Sequence, residues 1–156
     1  MILWSKRNRR RQSRQSPWQM VLERLESRSL LSATITPAAQ TPFLEDTTKV
    51  ISGLLVDPMS IGPVTLTLSV TDGTLTVTDP LIGGVRSVQI SGSGTNTVQI
   101  AGSVMDVNET LASGLKYIPR ANFFGSDTLV INLNDLTDTD NKTIDLMVVP
   151  DRKSVV

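Results

Sequence analysis

The chain has 156 residues and contains neither cysteine nor histidine. Without cysteine there are no disulfides and no thiolate metal sites. Without histidine the commonest general base, the Ser-His-Asp arrangement and most transition-metal chemistry are absent. Aromatic residues are 4% of the chain, so a core must be built from aliphatic side chains. No apolar run near the N-terminus is long enough for an ordinary secretory signal or a membrane-crossing helix. What remains is rich in Thr, Val, Leu, Ile, Gly and Ser, the vocabulary of a β-protein.

A net charge of zero conceals a division. Residues 1–33 carry eight basic and two acidic residues, a net +6, whereas the rest carries seven basic and thirteen acidic residues, a net −6. The composition therefore divides the chain into a basic arm at 1–33, a Pro-containing linker at 34–42, a domain at 43–149 and a tail at 150–156. The arm opens with SKRNRRRQSRQS, which has no apolar period and reads as disordered in isolation. After Pro17, positions Trp18, Val21, Leu22 and Leu25 fall on one helical face. Such an arm suits phosphate contacts with nucleic acid, although no recognition fold accompanies it. Its Arg and Ser content also suits an organellar transit peptide, against which Glu23 and Glu26 count.

The stretch VLERLESRSLLSA, residues 21–33, resembles the LEPR-XLL motif found near the N-terminus of many exported or surface proteins of planctomycete bacteria. Leu25, Glu26, Arg28, Leu30, Leu31, Ser32 and Ala33 carry the match; Ser27 stands where that family often has Pro or Asp. The resemblance implies export to the cell surface or the extracellular space. The arm would then sort or anchor the protein, and any membrane contact would run through the arm.

Beyond the linker the chain reads as short strands arranged around the segment Val107–Asp135. KVISGLL suggests a first strand ending near Val56. Val64–Val70 and Thr74–Thr78 alternate apolar and hydroxyl residues on either side of Asp72-Gly73, a strong hairpin signal. Val85–Ser91 and Asn96–Ala101 flank the flexible turn Gly92-Ser93-Gly94. Asn108 is placed to cap one short helical turn, with Leu111 and Leu115 on its buried side. Tyr117 and Ile118 run into Pro119, and Phe123-Phe124 is expected to plug one end of the core. Leu129, Ile131 and Leu133 align in one strand; Ile144, Leu146 and Val148 align in the last. Seven or eight strands with frequent turn signals predict an all-β fold, an antiparallel β-sandwich with a single helical turn. A sandwich of this kind leaves an exposed edge where a neighbouring repeat or partner can pair.

Within the domain, the order EDT, SVTDGTLTV, GSGTNTVQIAGSV, LASGLKYIPRANFFGSDTL and ND is similar to one cadherin-like tandem repeat of bacterial adhesins, across residues 43–149. The similarity implies an extracellular immunoglobulin-like sandwich that serves as a stalk or adhesive module. Its partners would be neighbouring repeats, other surface proteins or polysaccharide, with no small-molecule substrate and no enzymatic activity. Such repeats usually close with an Asn-Asp-x-Pro linker, whereas this chain closes with PDRKSVV, and no second copy occurs at any period. The expectation is a single or truncated repeat. A rival reading is a carbohydrate-binding accessory domain of an exported hydrolase, but Tyr117, Phe123 and Phe124 are the only aromatics after the linker besides Phe43 and suit the core better.

Calcium is the cofactor with a physical case, since a hard cation gathers several oxygens and carboxylates sit at loop ends. Glu45 and Asp46 precede the first strand, Asp57 follows it, and Asn134 and Asp135 close the penultimate strand. In cadherin-like repeats, acidic residues at such positions contribute to calcium sites between repeats. Asp138–Asn141 is no EF-hand, because Lys142 stands where a ligand is needed and the Gly and terminal Glu are missing. Gly92-Ser93-Gly94 has no lysine or long helix to cradle phosphate. Asn108-Glu109-Thr110 and Asn141-Lys142-Thr143 fit the short N-glycosylation pattern.

Overall fold

The computed structural model describes residues 34–57, 62–78, 89–136 and 138–151. The basic arm with its motif at 21–33, the Pro58 break, the start of the strand expected at 85–91 and the tail after residue 151 lie outside the described residues.

Alternation builds the longest strands. In β5 (Pro63–Ser69), Val64, Leu66 and Leu68 are buried while Thr65, Thr67 and Ser69 face outward. The same two-residue period runs through β8 (Thr97–Ser103), β10 (Gly125–Asn134) and β11 (Thr139–Val149). With the short β2 (Phe43–Leu44) and β7 (Ile90–Ser91), these form a six-stranded sheet in the order β2-β11-β10-β5-β8-β7. A three-stranded sheet holds β3 (Lys49–Ile51), β9 (Leu115–Pro119) and β6 (Gly73–Val77) in the order β3-β9-β6. A third, two-stranded sheet pairs β1 (Ile35–Thr36) with β4 (Leu55–Val56). The inward residues of all three sheets form one hydrophobic cluster, with Leu66, Leu68, Leu75, Leu129, Ile131 and Leu146 fully buried. Each such side chain contributes about 1.5–3 kcal/mol relative to exposure.

Among the described residues the fold is all-β apart from one helix. It departs from a wholly antiparallel arrangement at a single ladder: β2 runs parallel to β11, pairing Phe43 with Val148 and Leu44 with Val149, so the large sheet is mixed. Three further expectations are corrected. The segment 34–42 is more than a spacer, because Ile35 is buried, β1 pairs with β4, and the Ile35 amide donates to Asp140 Oδ2 at 2.8 Å. That bond is the chief reason the Asp140 carboxyl lies below the usual carboxylate range. The run KVISGLL is split into β3 and β4, since Gly53 adopts φ +73 between them and sends the second half to β1. Finally, Asp72-Gly73 is no hairpin. β5 pairs with β10 and β8, whereas β6 pairs with β9 in the other sheet. Neither Asp72 nor Gly73 takes the positive φ that a two-residue hairpin requires; the pair is a corner between sheets.

The helix is longer than one turn. α1 (Val104–Gly114) begins at Ser103, whose Oγ accepts the Asp106 amide at 3.2 Å and donates to the Asp106 carboxylate at 2.7 Å. This is a capping arrangement in which Ser103, not Asn108, holds the end. Val104, Val107 and Leu111 supply the buried face. Asn108, in mid-helix, instead clamps β4: its Nδ2 donates to the Val56 carbonyl at 2.8 Å and its Oδ1 accepts the Val56 amide at 2.9 Å. One side-chain amide thereby stands in for a neighbouring strand.

Of the expected aromatic plug only Phe123 packs against the core, and Phe124 is exposed. The aromatic contact that forms is edge-to-face between Phe43 and Tyr117, with centroids 5.8 Å apart.

Gly73 is required by space at the corner rather than by its φ. A Cβ there would lie 2.5 Å from Tyr117 Cε2 and 2.6 Å from the Ile118 carbonyl oxygen. Backbone cannot yield cheaply, so Gly73→Ala is expected to destabilise the domain by about 1–3 kcal/mol in urea unfolding. An unchanged midpoint would show that the corner has slack.

Candidate functional site

The residues expected to contribute to calcium sites between repeats are placed by the β10–β11 register. Glu45 follows β2, which pairs with the last residues of β11. Its amide donates to the Val149 carbonyl at 2.9 Å and its Oε1 accepts the Asp151 amide at 3.0 Å. Asp46, in the left-handed region at φ 56, accepts the Asn122 amide at 3.0 Å. Both therefore lie at the end of the domain where Gly125 faces Val148.

Asn134 and Asp135 lie at the opposite end, in the turn between β10 and β11. Asn134 Oδ1 accepts the Leu136 amide, and Asp135 Oδ1 accepts the Asp138 amide at 2.9 Å. Asp57 belongs to this end too, since its amide donates to the Thr34 carbonyl beside the Ile35–Asp140 bond. Ten residues of β10 separate the two groups, roughly 30 Å of strand. Among the described residues no three Asp or Glu side chains are grouped to hold a metal ion. Calcium takes six to eight oxygens, so the five residues do not fit one calcium site within one chain.

The tightest polar cluster is elsewhere. Asp127, on β10, is buried. Its Oδ1 accepts the amides of Thr71 at 3.1 Å and Thr128 at 2.8 Å. Its Oδ2 accepts the Asp72 amide at 3.0 Å and the Tyr117 hydroxyl at 2.8 Å. One carboxylate thus ties β10 to the β5–β6 corner and to β9. Burial, then the Asp127 hydrogen bond, then the negative charges of Asp127 and Asp72 push the Tyr117 hydroxyl well above its usual range. Both groups face inward, where a ligand does not reach them. Outside, Arg120 meets Asp72 at 3.4 Å, but its side chain is largely exposed, and such a pair adds little.

The sequence held a signal for this cluster that the periodic reading passed over. Asp127 shares its strand parity with Leu129, Ile131 and Leu133. A carboxylate in a buried row must find donors.

Two surface grooves flank the cluster and the helix. One, of about 350 Å³, lies over the corner, between Thr71–Thr74, Asn96 and Ile118–Arg120. The other, of about 520 Å³, runs between 50–55 and the C-terminal half of α1 and is mostly apolar. Of the two glycosylation patterns, Asn108 is engaged with Val56, while Asn141 is exposed and accepts the Asn132 amide at 2.6 Å.

Removing the Tyr117 hydroxyl by Tyr117→Phe is expected to cost about 1–2 kcal/mol, and Asp127→Ala, which strands the Thr71 and Asp72 amides, about 3 kcal/mol or more. Because the folded-state Tyr117 pKa is raised, its contribution is complete below the unfolded value near pH 10 and is lost as pH rises beyond it. Wild-type stability should therefore fall above about pH 10, and Tyr117→Phe should flatten that alkaline limb. Melting curves across pH 8–12 read both effects. With its acidic residues at two ends, the isolated chain should melt within about 1 °C of the same temperature with and without millimolar calcium.

No family model matches the chain, and no curated protein matches it. Among solved structures, the crystal structure of BslA, a bacterial hydrophobin, aligns over 76% of this chain and 100% of that one, at 21% identity and a TM-score of 0.38. A likeness of that extent defines neither the fold nor the role of this chain.

Proposed function

We propose that the chain is an exported, surface-associated module of immunoglobulin or cadherin-like type, with a structural or adhesive role. The observation that carries the reading is the strand connectivity. Immunoglobulin-type sandwiches order their sheets A-B-E-D and C-F-G. Taking β3, β5, β6, β9, β10 and β11 as B to G, the small sheet reads B-E-D and the large one C-F-G. The parallel β2 extends the large sheet beyond G, and the β7–β8–α1 segment is inserted between D and E. One core cluster between the sheets supports face-to-face packing.

The acidic residues at the two ends agree with a unit that meets neighbours end to end. Calcium held between units would then draw ligands from two of them. The resemblance of residues 21–33 to a motif of exported proteins supports the location.

Expression of the full chain and of a form lacking residues 1–33 in a planctomycete host tests the assignment. The full chain is expected to be digested by protease added to intact cells, and the shortened form to be protected inside. A full chain that stays protected in the cytoplasm would sink the proposal.

A further inference from the structure

Register turns the outer face of the six-stranded sheet into a grid. One row runs Thr143, Val130, Ser69 and Thr97 across β11, β10, β5 and β8; the next runs Asn141, Asn132, Thr67 and Gln99. A third runs Thr139, Asn134, Thr65 and Ala101. Neighbours within a row stand about 4.8 Å apart, and successive rows about 6.7 Å apart. None of these twelve positions is buried, none is charged, and ten carry a hydroxyl or an amide.

The charge count is informative. A soluble surface usually holds about three or four charged residues in twelve, and the domain is not short of them. Asp140 and Lys142 alternate onto the other side of β11, and Asp145 marks the border of the grid. Strand propensity explains threonine on such a face, but Asn is depleted in strands, so propensity leaves Asn132, Asn134 and Asn141 unaccounted for. Two of the amides are already oriented. Asn132 Nδ2 donates to Asn141 Oδ1 at 2.6 Å and Asn134 Nδ2 donates to Thr139 Oγ1 at 3.3 Å. Each bond uses only part of an Asn side chain's donors and acceptors, and groups held in place lose less entropy on binding.

We propose that this face binds a neutral polysaccharide laid across the strands. An uncharged face offers no phosphate or carboxylate contacts, which disfavours nucleic acid, acidic polymers and anionic membranes. Val130 is the grid's one large apolar member, Met147 lies beyond its border on β11, and no aromatic ring of a protein hot spot stands among the twelve positions. Charge-free donors and acceptors at a regular repeat match a polymer that presents hydroxyls at a regular repeat. The inference rests on the sheet face and is independent of export and of the array.

The test is native affinity electrophoresis of the full chain in gels containing a soluble neutral β-glucan, glucomannan or α-glucan, with polygalacturonate as the charged comparison. Pull-down on cellulose and chitin extends the panel to insoluble polymers. At least one neutral glycan is expected to retard or retain the protein and polygalacturonate is not. The double variant T67K/N132K, at the grid's centre, should bind about tenfold more weakly; its two lysines face each other across β5 and β10 and lower the melting temperature, so the loss is compared with that of Gln99→Lys, which makes no such pair. Gln99→Lys, at the row's edge, serves if the double variant does not fold, and Lys116→Ala on the outer face of the small sheet should bind as wild type. Binding to no neutral glycan, or equal binding by wild type and grid variants, would overturn the proposal. So would self-association that the grid variants abolish, which makes a second copy the occupant.

Discussion

A buried carboxylate with four donors constrains this domain more than any other single group. Asp127 occupies a position that strand alternation turns toward the core, where an unsatisfied charge would cost several kcal/mol. Its donors come from β10 itself, from the residues after β5, and from Tyr117 on β9. Once those bonds form, the chain leaving β5 turns at Asp72 and enters the opposite sheet instead of folding back on β5. The close approach of Tyr117 then leaves no room for a side chain at Gly73. The corner, the sheet change and the position of the small sheet's central strand thus follow from one charge seeking partners.

That dependence also explains how far the sequence could be read. Alternation depends on neighbours two residues apart, so β5, β6, β10 and β11 were legible from Val64, Leu75, Leu129, Ile144 and their companions. Pairing is set by contacts distant in sequence, and there local rules misled. Asp-Gly has the chemistry of a hairpin turn, but the bonds to Asp127, more than fifty residues away, outweigh that preference. Short elements were hidden for the same reason. β1 and β4 have two residues each and exist because Asp140 and Asn108 hold them. Asn108 looked like a cap because Asn favours caps, yet Ser103 with Asp106 satisfies the helix end five residues earlier.

The resemblance assigns the calcium residues to sites between repeats, and the sequence gives no distance between their loop ends. Register supplies it. Once β10 and β11 pair along ten residues, Glu45 and Asp46 cannot meet Asn134 and Asp135: the first two accept the amides of Asp151 and Asn122, distant in sequence, and the last two accept amides within their own turn. Carboxylates at strand ends serve these turns first, whatever they do when another domain is near.

The distribution of polar groups gives the two ends and the face different physical roles. Carboxylates lie at both ends of the β10–β11 pair, while the outer grid is neutral and insensitive to salt. End-to-end contact leaves the sheet faces uncovered, so an array of such units would present its grids side by side along one axis. A face without aromatic platforms holds a polymer weakly. Weak contacts repeated on a common scaffold gain from effective concentration without any new contact, provided the spacing permits simultaneous engagement. In the proposed module, adhesion and stalk-building would draw on different surfaces, while the buried Asp127 cluster ties β10 of the large sheet to β9 of the small one and to the corner before β6.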